Sequence, residues 1–171
     1  GQPDPNLNTW CAQGVMVDDV GTIVMAGHAA THSVGTGGME ALYLRETAER
    51  RIQCERIGLY DVAASDPVTD RLTLRPRTPV STDWVALPQR REPKVGDRVY
   101  AVSWRLWMRL RASRQGGSET DCFIWPPSHY AQEWRRTYLE GVVRNRLQNP
   151  HYFELSFQGQ FGDSGAPVFF E

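Results

Sequence analysis

Short β-rich runs separated by turn signals recur along this sequence, and that punctuation limits the architectures open to it. Residues 11–17 (CAQGVMV) and 22–26 (TIVMA) are apolar and β-rich, with Asp18-Asp19-Val20-Gly21 between them as a hairpin loop. Residues 56–63 supply a third strand and 82–87 a weaker fourth. Strand patterns return at 97–104 (DRVYAVSW), 139–143, 152–157 and 167–170. Short strands with frequent turns favour an all-β barrel or sandwich over βαβ units. Between 105 and 138 the pattern is less orderly. It holds a basic, aromatic run (RLWMRLRASR), a Gly-Gly turn, Trp125-Pro126-Pro127, and a segment at 130–138 that reads as a short helix.

A chain of 171 residues, 40% of them hydrophobic, can form one domain or two small barrels sharing an interface. Residues 75–79 (RPRTP), with Pro88 and Pro93 beyond, read as an extended crossing between two such halves. The organisation expected is an N-terminal barrel over 1–75, a linker over 76–94, and a C-terminal barrel over 95–171 with an insertion at 105–138. A formal net charge of −1 gives no electrostatic reason to expect nucleic acid or an anionic membrane. The lone lysine, Lys94, against many arginines reads as coding bias, not as a binding patch. No apolar run approaches the ~18 residues needed to span a bilayer. Cys11, Cys54 and Cys122 cannot all pair within one chain, and three is few for a stapled secreted domain. That favours a reducing compartment, cytoplasmic or host-intracellular, although spacing leaves a Cys11–Cys54 bridge open.

Three local contexts carry chemistry. Gly162-Asp163-Ser164-Gly165-Ala166-Pro167 follows a strand-like YFELSF. Acyl transfer needs a nucleophile and two fixed N–H donors about 3 Å from the developing oxyanion. A glycine two residues before the serine lets the backbone turn the two N–H groups the same way, and Gly165 relieves crowding on the other side. Taken alone, this tetrapeptide is also an ordinary surface turn. His28 ends an apolar strand among small residues (Ala26-Gly27-His28-Ala29-Ala30), which suits a ring presented at a cleft; His32 is its nearest competitor. Asp61 sits between Tyr60 and Val62 in an apolar strand. A charge there needs a partner, and the N–H of an imidazole would serve. Asp66 and Asp70 read as turn residues beside Pro67 and Thr69.

In their order His28, Asp61, Ser164, these contexts resemble the chymotrypsin-like, or trypsin-fold, serine peptidases. TIVMAGHA is similar to that family's strand and histidine motif, YDVA to its aspartate strand, GDSGAPV to its nucleophile loop, and VGDRVYAVSW to the strand opening its second barrel. The resemblance implies two six-stranded β-barrels with the reacting groups in the cleft between them. It implies Ser164 as nucleophile, His28 as general base, Asp61 as orienting carboxylate, and an oxyanion hole from the N–H groups of Gly162 and Ser164. The substrate class would be polypeptide, with no metal or organic cofactor. Gln158, six residues before Ser164, falls where the family places the floor of its primary specificity pocket.

The departures are informative too. Where secreted members carry a cysteine after the histidine this chain has Ala29, and the cysteine before the nucleophile loop is missing. Both point to compact, disulfide-poor viral or bacterial members. The start is not Ile-Val-Gly-Gly, so Asp163 is not expected to pair with a newly cut N-terminus. Only seven residues follow Ser164. The second barrel is therefore expected to be incomplete within 1–171, with a following segment or a partner chain completing it. The alternative to an active peptidase is a trypsin-fold binding module, or a protease inactive until so completed. α/β-Hydrolase chemistry would need a final glycine where Ala166 stands. Zinc binding would need ligand spacing that the histidines and cysteines lack.

Overall fold

The computed structural model describes residues 12–30, 39–49, 52–81, 85–110, 130–160 and 162–171. Their order is β1 (Gly14–Met16), β2 (Ile23–Ala26), a 3-10 turn (Gly27–Ala30), β3 (Met39–Glu46), β4 (Ile52–Asp66), β5 (Arg71–Pro76), β6 (Arg98–Leu110), β7 (Tyr130–Arg146), β8 (Phe153–Leu155) and β9 (Val168–Phe170). No α-helix occurs among the described residues, and none of their helices is long and apolar enough to cross a membrane. The all-β reading holds.

Two antiparallel sheets result. The first has the order β1-β2-β5-β4-β3 and the second β8-β7-β6-β9. The described residues thus give five and four strands, not six in each barrel. The first sheet curls at two irregularities in β4. One leaves Ile57 without a partner beside Gly58 (φ 121°), and the other leaves Ala63 unpaired. An extra residue on one strand bends it and increases its twist. Curling gathers Met25, Tyr60, Leu72 and Leu74 into a buried cluster, with Ile23, Ala29, Met39, Ala41 and Ile57 packed around it. Leu72 and Leu74 are two apart on β5, as period-2 alternation requires for residues on one face.

The described residues between β5 and β6 then pass along the first sheet without forming a strand. Backbone N–H groups tie them down, from Arg77 to the Leu59 carbonyl (2.9 Å), Val80 to Val20 (3.2 Å) and Ala86 to Met16 (2.8 Å). Residues 85–87 form no strand, contrary to the fourth run read from the sequence, whose first three residues lie outside the described set.

The reading of 130–138 as a helix is overturned. Those residues are the first part of β7, paired with β6 from Leu110↔Tyr130 down to Arg98↔Val142. A ladder of that length outweighs the helix propensity of a segment such as Ala-Gln-Glu. Residues 105–110 likewise continue β6 and do not begin an irregular insertion. Val99, Ala101 and Ser103, alternate residues of β6, are buried, and β9 is an edge strand resting on Val99–Ala101. Cys54, on β4, is disulfide-bonded, and its partner lies outside the described residues. This favours paired cysteines over the free-thiol reading.

Candidate active site

His28 is placed by the strand that delivers it. β2 pairs with β5 through Ala26↔Arg71, which brings Asp70, the last residue of the β4–β5 turn, against Gly27 and His28. The Gly27 N–H donates to the Asp70 carbonyl (2.8 Å) and the His28 N–H donates to Asp70 Oδ1 (2.8 Å). A Cβ on residue 27 would stand 3.1 Å from Asp70 Oδ1, so glycine there permits the approach. Asp70 itself is left-handed (φ 53°), a conformation aspartate enters more readily than most residues.

The other carboxylate oxygen of Asp70, Oδ2, is hydrogen-bonded to His28 Nδ1. On the opposite side of the ring, His28 Nε2 lies 2.9 Å from Ser164 Oγ. The structure thus brings together two of the expected residues, His28 and Ser164, and supplies a different acid. Asp61 is not at the imidazole. It accepts from Arg77 Nε (3.0 Å to Oδ2) and Nη2 (3.0 Å to Oδ1), and this guanidinium holds its carboxyl below the usual carboxylate range. The reason is strand alternation. Tyr60 is fully buried in the core, so Asp61 must face the other way, into solvent.

The nucleophile loop needs its glycines. Gly162 (φ 100°) and Gly165 (φ 92°) both adopt left-handed backbone. A Cβ on residue 165 would fall 1.9 Å from the Gln13 carbonyl oxygen, so the loop can touch the first sheet only without a side chain there. The Asp163 N–H is taken by the Gln160 carbonyl (3.1 Å) and the Ala166 N–H by the Asp163 carbonyl (2.9 Å). Among the described residues no acceptor takes the N–H of Gly162 or Ser164.

Asp163 points inward. It accepts from Ser103 Oγ (2.7 Å), Arg105 Nε (3.0 Å) and Nη2 (2.8 Å), and the Gln160 N–H (2.7 Å). The Arg105 guanidinium, aided by the Gln160 and Ser103 hydrogen bonds, lowers its pKa to about 2 despite partial burial. Ser103 and Arg105 are two apart on β6 and so share a face. Asp163 is therefore paired with an arginine from within the second sheet.

Gln158 is exposed, between β8 and the loop. His32 and His129 lie outside the described residues, and His151 sits in an exposed turn, its N–H on Asn149 Oδ1 (3.0 Å). No cluster of three or more metal-ligating side chains occurs among the described residues. Two shallow concavities, one lined by Ile57, Gly58, Leu59, Arg77 and Thr78 and the other by residues of β6 and β7 with Glu171, include neither His28 nor Ser164.

Ser103, Arg105 and Gln13 are site neighbours that the sequence does not single out, and Asp70 reads there as a turn residue only. Asp70 does end the turn before the strand Arg71-Leu72-Thr73-Leu74, and its place at the imidazole comes only from the pairing of β2 with β5.

An acid, an imidazole and a hydroxyl thus stand in line, Asp70 and His28 on turns of the first sheet and Ser164 on the loop before β9. No protein-family model and no curated protein sequence matches the chain. Among solved structures it is similar to Deg5, with a TM-score of 0.52 and 15% identity over 92% of this chain and 67% of that one. It is similar to the MamO protease domain from Magnetospirillum magneticum, with a TM-score of 0.52 and 15% identity over 98% and 74%. The serine endoprotease from Yersinia pestis gives a TM-score of 0.51 and 15% identity over 98% of this chain and 46% of that one. The chain thus spans less than half of the Yersinia protein. The fold is trypsin-like, and the described residues supply five and four strands of its two barrels.

Proposed function

We propose that the chain is a serine endopeptidase that cleaves polypeptides through an acyl-enzyme. Ser164 is the nucleophile, His28 the general base, and Asp70 the carboxylate that orients the imidazole. The observation that carries this reading is the doubly anchored ring, with Nδ1 on Asp70 and Nε2 2.9 Å from Ser164 Oγ. With Nδ1–H fixed on the carboxylate, the lone pair of Nε2 faces the hydroxyl. His28 takes the Ser164 proton as Oγ attacks the carbonyl carbon, then returns it to the leaving amine. The N–H groups of Gly162 and Ser164 would hold the oxyanion, with the positive φ of Gly162 turning the loop. Gln158 is proposed at the substrate side of the loop.

One observation favours a qualified form. Among the described residues β9 is an edge strand with Val168 exposed. A wall for the substrate side chain would then come from a further segment or a partner chain pairing with that edge.

The experiment is labelling with a fluorophosphonate followed by peptide mass spectrometry. Modification of Ser164 is expected, and it should disappear in S164A. Labelling at another serine, or none in the whole chain with or without the candidate partner, would remove the assignment.

A further inference from the structure

Gln13 stands just before β1 and reaches across to the second sheet. Its amide nitrogen donates to the Gly162 carbonyl (2.7 Å) and to Ser103 Oγ (3.0 Å), with the Trp104 carbonyl more distant at 3.4 Å. Its amide oxygen accepts the Trp104 N–H (3.0 Å). One side chain therefore uses both of its hydrogens and its oxygen on β6 and the nucleophile loop. Its backbone carbonyl is the atom against which Gly165 packs. The loop is thus held at Gly162 by the side chain of Gln13 and at Gly165 by its main chain, with Ser164 between.

The other end of the connection leads to the imidazole. Gly14, the next residue, pairs with Met25 across β1 and β2, three residues before His28. The Ala26 N–H lies 3.6 Å from where a Cβ of residue 165 would be. Gln13 is therefore tied by a short, stiff path to both reacting groups, which sit on different sheets. Its partner Ser103 is fully buried and passes its own hydrogen to Asp163, the residue beside the nucleophile.

We infer that Gln13 is a positioning residue that locks the Gly162–Gly165 loop onto the sheet carrying His28 and so sets the approach of Ser164 Oγ to the imidazole. This rests on the peptidase reading for its consequence in rate, but not for its consequence in geometry. A carboxamide is needed because the site presents two acceptors and one donor. A carboxylate of the same shape has no N–H to give and would place negative charge against the Gly162 carbonyl.

The test compares whole-chain wild type with Q13E, and with the uncharged Q13M and S103A. Two readouts are taken on folded protein: the rate of fluorophosphonate labelling at Ser164, and the nitrogen-15 shift of His28 Nε2. A loop displaced by a fraction of an ångström to an ångström should slow labelling about 10- to 100-fold and move the Nε2 shift, with the thermal midpoint tracking neither. If wild type labels and any folded Gln13 variant labels at the wild-type rate, the inference is wrong while the peptidase reading stands. If wild type does not label, the peptidase reading falls, and the Nε2 shift alone decides: a change in Q13E or Q13M supports the lock, and an unchanged shift overturns it. Should Q13E fail to fold, Q13M and S103A carry the same comparison.

Discussion

Asp70 grips His28 at two points, its Oδ1 on the backbone N–H and its Oδ2 on the ring Nδ1, so one carboxylate fixes both the position of the residue and the tautomer of its imidazole. Asp70→Asn keeps the shape and the left-handed backbone, but presents the wrong hydrogen to Nδ1. Hydrolysis should fall on the order of 10⁴-fold, the scale seen when such an acid becomes an amide. Asp61→Asn should leave the rate within a factor of a few, because that carboxylate serves Arg77 on an exposed face. Steady-state kinetics on the two variants decide between the acids; a collapse in D61N with D70N active would reverse the assignment.

Gly165 tolerates no side chain. A residue there would adopt left-handed backbone at about 1–2 kcal/mol, and its Cβ would also overlap the Gln13 carbonyl. Gly165→Ala should lower the denaturation midpoint and abolish labelling together. Gly58→Ala is the control, since φ is also positive there but no atom lies within 4 Å. It should cost only the backbone strain and keep labelling. Equal behaviour of the two would mean that the loop does not press on the first sheet.

His28 and Ser164 were legible because their contexts are local: an apolar strand followed by small residues, and a glycine-flanked serine. Asp70 was not, because its role depends on the Ala26↔Arg71 register, which joins segments far apart in sequence. Asp61 misled by composition. Its apolar neighbours suggested a buried carboxylate, yet on β4 only Tyr60 is buried while Leu59 and Val62 are largely exposed. β3 and the start of β7 carry helix-forming residues and are strands through pairing with β4 and β6. Gln13 has no signature at all: an amide before a strand gains its meaning only from what the other sheet brings to it.

Cys54 is disulfide-bonded, and with three cysteines in the sequence a single bridge within the chain would leave one thiol. Alkylation of denatured, unreduced protein should therefore modify one cysteine, and alkylation after reduction should modify three. Reduction should lower stability by about 2–4 kcal/mol, the usual range for a closed loop. Three modified cysteines without reductant would restore the free-thiol reading.

Arg105 and Asp163 predict an acid limb of stability. The guanidinium lowers the pKa of the Asp163 carboxyl to about 2, below the 3.8 of an unperturbed aspartate. A carboxyl whose pKa is depressed in the folded state adds stability above its unfolded pKa and loses it as pH falls through the folded one. The contribution is therefore complete above pH ~4 and fades between about 4 and 2. Arg105→Met removes the partner and leaves a largely buried carboxylate with Ser103 and the Gln160 N–H. The unpaired charge should cost about 1.5–3 kcal/mol at neutral pH. Protonation then relieves it, so the gap between wild type and R105M should narrow as pH drops from 4 towards 2. Denaturant titrations at fixed pH values across that range measure it. A gap of constant size down to pH 2 would show that Arg105 acts through packing and that its charge on Asp163 contributes nothing.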